Sequence, residues 1–183
     1  IGEIIFPIII IISIIIPARY GSSRYRGKPL VKILGKEMVI RVADICSKIK
    51  DVNVYIATDS KKIANVVKKY GYNYIFTSSS CLTGTDRVAE ASKKIRSKIY
   101  INVQGDEPTI NPKDIKKVID MKKKFPNHVV CGYTKVHDFE NPSNINLPKV
   151  VVNSKGELIY ISRALVPGKK KNSQKIQYHK QVC

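Results

Sequence analysis

The stretch Ile14–Leu30, IIIPARYGSSRYRGKPL, concentrates residue types that can hold a polyphosphate. A run of isoleucines stops at Pro17. Arg19, Arg24, Arg26 and Lys28 follow, with Gly21, Gly27, Ser22 and Ser23 among them. Glycines let backbone N–H groups close on phosphate oxygens, and Arg and Lys neutralise the charge. The spacing is not that of a P-loop. Five residues separate Gly21 from Gly27, and Lys28 is followed by Pro29 rather than Ser or Thr. No G-x-G-x-x-G occurs, so a dinucleotide fingerprint is not supported. The bland alternative is a basic surface loop after a strand.

Further constellations follow. Gln104-Gly105-Asp106-Glu107-Pro108 comes directly after the apolar run IYINV. A carboxylate at a strand tip beside a phosphate loop suits Mg²⁺, so Asp106 is the expected metal ligand. The alternative is that Asp106 or Glu107 caps the next helix, although Asn111 stands nearer to its start at Pro112. In Thr83-Gly84-Thr85-Asp86-Arg87, Thr85 or Asp86 can cap a helix, with Arg87 facing in. Arg163, in Tyr160-Ile161-Ser162-Arg163, has the planar fork that matches a carboxylate; the alternative is an exposed strand-end Arg.

The elements that must position these loops are legible in the pattern. The run Ile10–Ile16 reads as a buried strand. Apolar spacing predicts a helix over Lys36–Lys50, and VNVYIA predicts a strand over Val52–Ala57. Thr58, Asp59 and Ser60 are expected to cap a helix over Lys61–Tyr70 that stops at Gly71. Strands at Asn73–Thr77 and Ile99–Val103 flank a helix over Arg87–Ile95. A further helix runs from Pro112 to Phe125, and a strand from Val129 to Val136. Pro148–Val152 and Leu158–Ile161 read as a hairpin around Asn153-Ser154-Lys155-Gly156. Gly168–Ser173 is expected to be a mobile Lys-rich loop. Alternating strands and helices imply an α/β fold with a mostly parallel central sheet. Ligands of such sheets sit at the carboxyl ends of the strands, which brings three polar loops to one rim: Pro17–Pro29, Thr77–Asp86 and Gln104–Pro108.

At 183 residues the chain is expected to form a single domain, 1–183, with residues 1–9 an apolar extension that has no assigned role. Both ends look unfinished, with Ile rather than Met first and Cys183 inside a β-rich region, so the chain is expected to be C-terminally incomplete. The run Ile4–Ile16 is too short for a membrane span and is interrupted by Pro7. Four scattered cysteines, with no C-x-x-C, suggest a reduced, cytoplasmic protein. The net charge of +19 invites a nucleic-acid reading. Only seven of the 33 basic residues are Arg, and the lysines spread along helix faces, which favours a solvated surface. Neither nucleic acid nor membrane is the expected partner.

Three strings in order, Ile16–Leu30, Thr83–Glu90 and VNVQGDEP, resemble the signatures of the sugar-acid cytidylyltransferases, most closely the 3-deoxy-manno-octulosonate (Kdo) cytidylyltransferases. The resemblance runs from about Ile14 to the C-terminal end. It implies a Rossmann-like nucleotide-diphospho-sugar transferase fold with a small β insertion after about Pro148. It implies transfer of CMP from CTP to Kdo with release of pyrophosphate, for lipopolysaccharide synthesis. Arg19, Lys28 and Asp106 would be catalytic, with Mg²⁺ on Asp106. Ala18, Arg19, Gly21, Ser22, Ser23, Arg24, Lys28, Thr85, Arg87 and Gln104 would bind the nucleotide. Gln104, Arg163 and Gln181 would bind the sugar acid. Partners would be CTP, a sugar acid and, at full length, a second copy in a homodimer. Gln181 stands where the family usually carries a His, and a second Mg²⁺-binding Asp is expected beyond Cys183. Two other readings follow: a cytidylyltransferase for 8-amino-Kdo or a sialic-acid-like sugar, or a non-catalytic nucleotide-binding remnant.

Overall fold

The structure, a computed structural model, describes residues 11–21, 25–168 and 176–182. The apolar extension 1–9, the site residues Ser22, Ser23 and Arg24, and residues 169–173 of the Lys-rich loop lie outside the described residues. Two compact units are present, one ending at Pro126 and the other beginning at Asn127.

The first unit holds β1 (Ile12–Ala18), a 3₁₀ turn (Lys28–Leu30), β2 (Lys32–Ile33), β3 (Lys36–Glu37), α1 (Met38–Cys46), β4 (Val52–Thr58), α2 (Lys61–Lys69), β5 (Asn73–Phe76), α3 (Gly84–Ser92), β6 (Ile99–Asn102) and α4 (Pro112–Lys124). Four strands form a parallel sheet in the order β5-β4-β1-β6. All seven residues of β1 are buried, as expected for a central parallel strand covered on both faces.

Alternation along β1 sorts its side chains between two layers. Ile14 and Ile16 meet Val39, Val42 and Cys46 of α1, Ile63 and Val67 of α2, and Ile115 and Ile119 of α4. Ile15 faces the other way, toward Val88 and Ala91 of α3. Burial pushes the Cys46 thiol up to about 12.

The chain runs outward from β1 to β4 and β5, then returns to the other side of β1 as β6. Beyond the carboxyl ends of β1 and β6, connections therefore leave in opposite directions and open a crevice.

Several boundaries differ from the sequence expectation. The helix expected over 36–50 begins at Met38, because Lys32–Glu37 first make a two-residue hairpin. Its turn residues Leu34 and Gly35 both have positive φ, the geometry such a hairpin needs. Leu34 is 92% exposed there and carries no turn signature in its residue type. Helix α3 begins three residues earlier than Arg87. Its cap is Thr83, not Thr85 or Asp86: Thr83 Oγ1 accepts from Asp86 N, and Asp86 Oδ2 accepts from Thr83 N. Ser60 occupies the cap position of α2, but its hydroxyl makes no capping bond. Asn111 caps α4 by accepting from Lys113 N, with Pro112 in the first turn.

The second unit is an antiparallel sheet of β7 (Gly132–Lys135), β8 (Lys149–Val152), β9 (Leu158–Ser162) and β10 (His179–Val182), ordered β7-β10-β8-β9. The hairpin expected around 153–156 joins β8 and β9. The strand expected over 129–136 shortens to β7 and belongs to this sheet. Lys149 is fully buried and donates to the carbonyls of Asn144 and Arg163 at 2.9 and 2.6 Å.

Ile14 makes its contacts in the middle of the parallel sheet, so Ile14→Ala should destabilise the first unit by about 2–5 kcal/mol. Urea denaturation followed by far-UV circular dichroism will measure it.

Candidate nucleotide site

The carboxyl end of β1 is where the polar chain begins. Pro17, Ala18 and Arg19 line one wall of a cleft of about 380 Å³. Lys28 and Pro29 come from the 3₁₀ turn, and Met38 from the start of α1. Gly27 N donates to Tyr20 O at 2.8 Å. The Tyr20 ring lies under two cations, with the Arg26 guanidinium 5.7 Å and Lys62 Nζ 5.1 Å from its centroid. Buried Pro29 plugs the turn and so fixes where Lys28 starts.

Gln104, Gly105 and Asp106, after β6, form the second wall. A Cβ on Gly105 would stand 2.7 Å from the Pro17 carbonyl oxygen. Only a glycine lets the two strand ends come this close. Asp106 Oδ2 accepts from Lys28 Nζ at 2.6 Å across the cleft, with both side chains about half exposed. Gln104 donates its amide to Asn102 Oδ1 at 3.1 Å. Its Oε1 therefore faces the third wall, where a Cβ on Gly84 would lie 3.1 Å away.

That third wall is Leu82, Thr83, Gly84 and Arg87. Arg87 is 2% exposed; its guanidinium donates to Thr77 Oγ1 at 2.5 Å and to Asp59 Oδ2 at 3.0 Å. Glu90, one turn on, accepts from Ser78 N through both oxygens and from Lys94 Nζ. The Lys94 ammonium, the Ser78 N–H and the Cys81 thiol hold its carboxyl at about 2.

Of the expected site residues, Ala18, Arg19, Lys28, Arg87, Gln104 and Asp106 meet at this one cleft. Gly21 and Thr85 are exposed and do not line it. Thr85 points away because α3 starts at Gly84 and turns Arg87 inward instead. Arg163 and Gln181 belong to the second unit. There Arg163 donates to Ile145 O at 3.0 Å, and Gln181 on β10 donates to Cys131 Sγ at 3.3 Å. His179 shares the Gln181 face of β10 and packs edge-on against Tyr133. The sequence reading missed Tyr25, Met38 and Leu82 in the cleft wall, since apolar lining residues carry no chemical signature. It also took Asp59 for a helix cap. Its position just past an apolar strand was the available signal.

Comparison with known proteins follows the same lines. A family model described as cytidylyltransferase matches residues 13–182. The 3-deoxy-manno-octulosonate cytidylyltransferase of Escherichia coli is 37% identical over 173 residues, covering 92% of this chain and 69% of that protein. The chain belongs to the 3-deoxy-manno-octulosonate cytidylyltransferase family. The mitochondrial family member of Arabidopsis thaliana is 41% identical over 84% of this chain and 54% of its own length. A solved CMP:2-keto-3-deoxy-manno-octonic acid synthetase, complexed with CTP, superposes with a TM-score of 0.86 at 36% identity. It covers 94% of this chain and 71% of that one. A Leptospira borgpetersenii cytidylyltransferase, 22% identical with a TM-score of 0.54, shares the fold. The chain thus spans a little over half to about two thirds of the length of these curated family members.

Two expectations follow. Gly105→Ala forces Cβ against backbone rather than a flexible side chain, and should lower stability by about 1–3 kcal/mol in a thermal melt. The Glu90 carboxyl falls from an ordinary 4.5 to about 2 in the fold. Its contribution is complete above pH 4.5 and is lost as pH drops toward 2. The melting midpoint of Glu90→Gln should therefore fall less between pH 5 and pH 2 than that of the natural chain.

Proposed function

We propose that the cleft binds CTP and that the protein transfers CMP to the sugar acid Kdo, releasing pyrophosphate. The observation that carries this reading is the meeting of Arg19, Lys28, Asp106 and Gln104 at the ends of β1 and β6. The cations suit the triphosphate, and Lys28 can follow charge as it grows on the departing pyrophosphate. On the α3 side the first turn already holds the Asp86 carboxylate. A second anion is disfavoured there, so the uncharged base is the part of CTP that fits it. Backbone groups around Leu82–Gly84, together with Gln104 Oε1, can meet the amino group and acceptors of cytosine.

In the reaction the anomeric hydroxyl of the sugar acid gives its proton to water and its oxygen bonds the α-phosphorus. The bond from that phosphorus to the bridging oxygen of the pyrophosphate breaks. The chain's residues orient these atoms and offset charge. Mg²⁺ fits the donor set. It commonly takes one or two carboxylates and completes its shell with phosphates and water. Asp106 is such a carboxylate, half exposed in the cleft, and among the described residues no three or more His, Cys, Asp or Glu side chains are grouped so as to hold a metal by themselves. Bound there, Mg²⁺ would offset the negative charge of the triphosphate and of the departing pyrophosphate. Arg163 and Gln181 are assigned to the sugar acid on the family resemblance. A homodimer, a cytoplasmic setting and a product used in lipopolysaccharide belong to the same reading.

Thermal shift with Mg²⁺ and each of CTP, UTP, ATP and GTP tests the proposal. At about 100 times Kd, CTP should stabilise by about 2.7 kcal/mol and the others by less. A cooperative melt that no nucleotide moves would overturn it. Lys28→Met should lower kcat/KM about a hundredfold. Asp106→Asn should remove the gain in CTP affinity that Mg²⁺ confers, read by calorimetry with and without EDTA.

A further inference from the structure

Arg87 is the largest fully buried side chain of the first unit, and it is charged. A buried guanidinium without partners is strongly destabilising, so its acceptors are part of whatever it does. They are Asp59, just past the end of β4, and Thr77, just past the end of β5. Those strand ends are already joined by Thr77 N donating to Thr58 O at 2.9 Å. The guanidinium thus ties the rim of two adjacent strands to the first turn of α3. With 2% exposure it offers almost no surface to a ligand.

What it can do is fix that turn. Thr83 and Gly84 lie four and three residues before Arg87, stacked over it on the helix. A Cβ on Gly84 would stand 3.1 Å from Gln104 Oε1 and 3.3 Å from the Pro17 ring. A shift of the helix start by a few tenths of an ångström would change the gap between Gly84 and Gln104. Glu90 reinforces the tie from the next turn by holding Ser78 N, so both ends of the 77–83 connection are pinned to α3.

We propose that Asp59 is a positioning residue for base selection, acting through Arg87 to set the distance between the start of α3 and Gln104. This rests on the cytidine-nucleotide reading of the cleft. Asp59 touches no substrate in this scheme. It neutralises Arg87 and, with Thr77, aims it. Loss of the tie should widen the base end of the cleft while leaving Lys28 and Asp106 in place, so discrimination suffers more than triphosphate binding.

The test is calorimetric binding of CTP and UTP, with Mg²⁺, to the natural chain, Asp59→Asn and Thr77→Val. Asn keeps the shape of Asp59 but removes its charge. Val keeps the shape of Thr77 but removes the acceptor. Asp59→Asn should weaken CTP about tenfold and UTP much less, so the CTP preference collapses. Thr77→Val, which leaves the ion pair intact, should do the same by about threefold. Amide exchange at Gly84–Asp86 should speed up in both. An unchanged CTP-to-UTP ratio, or equal loss for both nucleotides, overturns the proposal. If Asp59→Asn does not fold, Thr77→Val decides it by the same ratio. Should the natural chain bind no CTP, the cytidine reading fails first and this inference falls with it.

Discussion

Burial of β1 on both faces is the constraint from which the rest of the first unit follows. A strand with no solvent-facing side can carry polar groups only beyond its ends. Ser13 is the exception, and it is 1% exposed and bonded to the Ser97 hydroxyl. The chemistry of the chain therefore begins at Arg19, where the strand runs out of cover. Because β4 and β6 flank β1 in parallel, their carboxyl ends are at the same rim, and the loops that follow have one place to meet. The close approach of Gly105 to Pro17 is the local expression of this: two buried strands side by side leave no room for a Cβ where they both turn.

The cleft that results is electrically mixed rather than simply basic. Lys28 and Asp106 face each other across its mouth, Asp86 closes the start of α3, and Arg87 is withdrawn into the wall with Asp59. The large positive charge of the chain is carried mostly by lysines elsewhere, as along the outer face of α4. That surface supplies a general field that draws anions in. The few charges at the strand ends decide how an anion is held.

Much of this was legible in the sequence, for a physical reason. Strand runs such as IIIPA and IYINV are long, β-branched and bounded by glycine or proline, so their burial and their ends could both be read. The polar residues just past those ends, Arg19, Lys28, Gln104 and Asp106, could then be gathered on one rim by the rule for open parallel sheets. What escaped depends on angles finer than a residue pattern gives. The start of α3 turns on whether Thr83 or Thr85 takes the cap, and Gly84 and Thr85, both weak helix formers, hide the earlier start. Asp59 looked like a cap because Thr58 and Ser60 flank it, yet a buried Arg87 eleven residues beyond β5 claims it instead. The Leu34–Gly35 hairpin was hidden because leucine rarely accepts positive φ. Arg163 and Gln181 were assigned by resemblance, and no spacing in the sequence ties them to the cleft.

The buried thiol of Cys46 has a use that lies outside nucleotide chemistry. Pushed up to about 12 and sealed between α1 and the sheet, it stays protonated and out of reach of alkylating reagents and oxidants, which act on the thiolate. Cys131 is exposed and Cys81 is partly so. Among the described residues, then, the chain carries two thiols at or near the surface and one that surfaces only when α1 leaves the sheet. The rate at which Cys46 becomes reactive toward an added alkylating reagent is therefore an internal clock for the opening of the core.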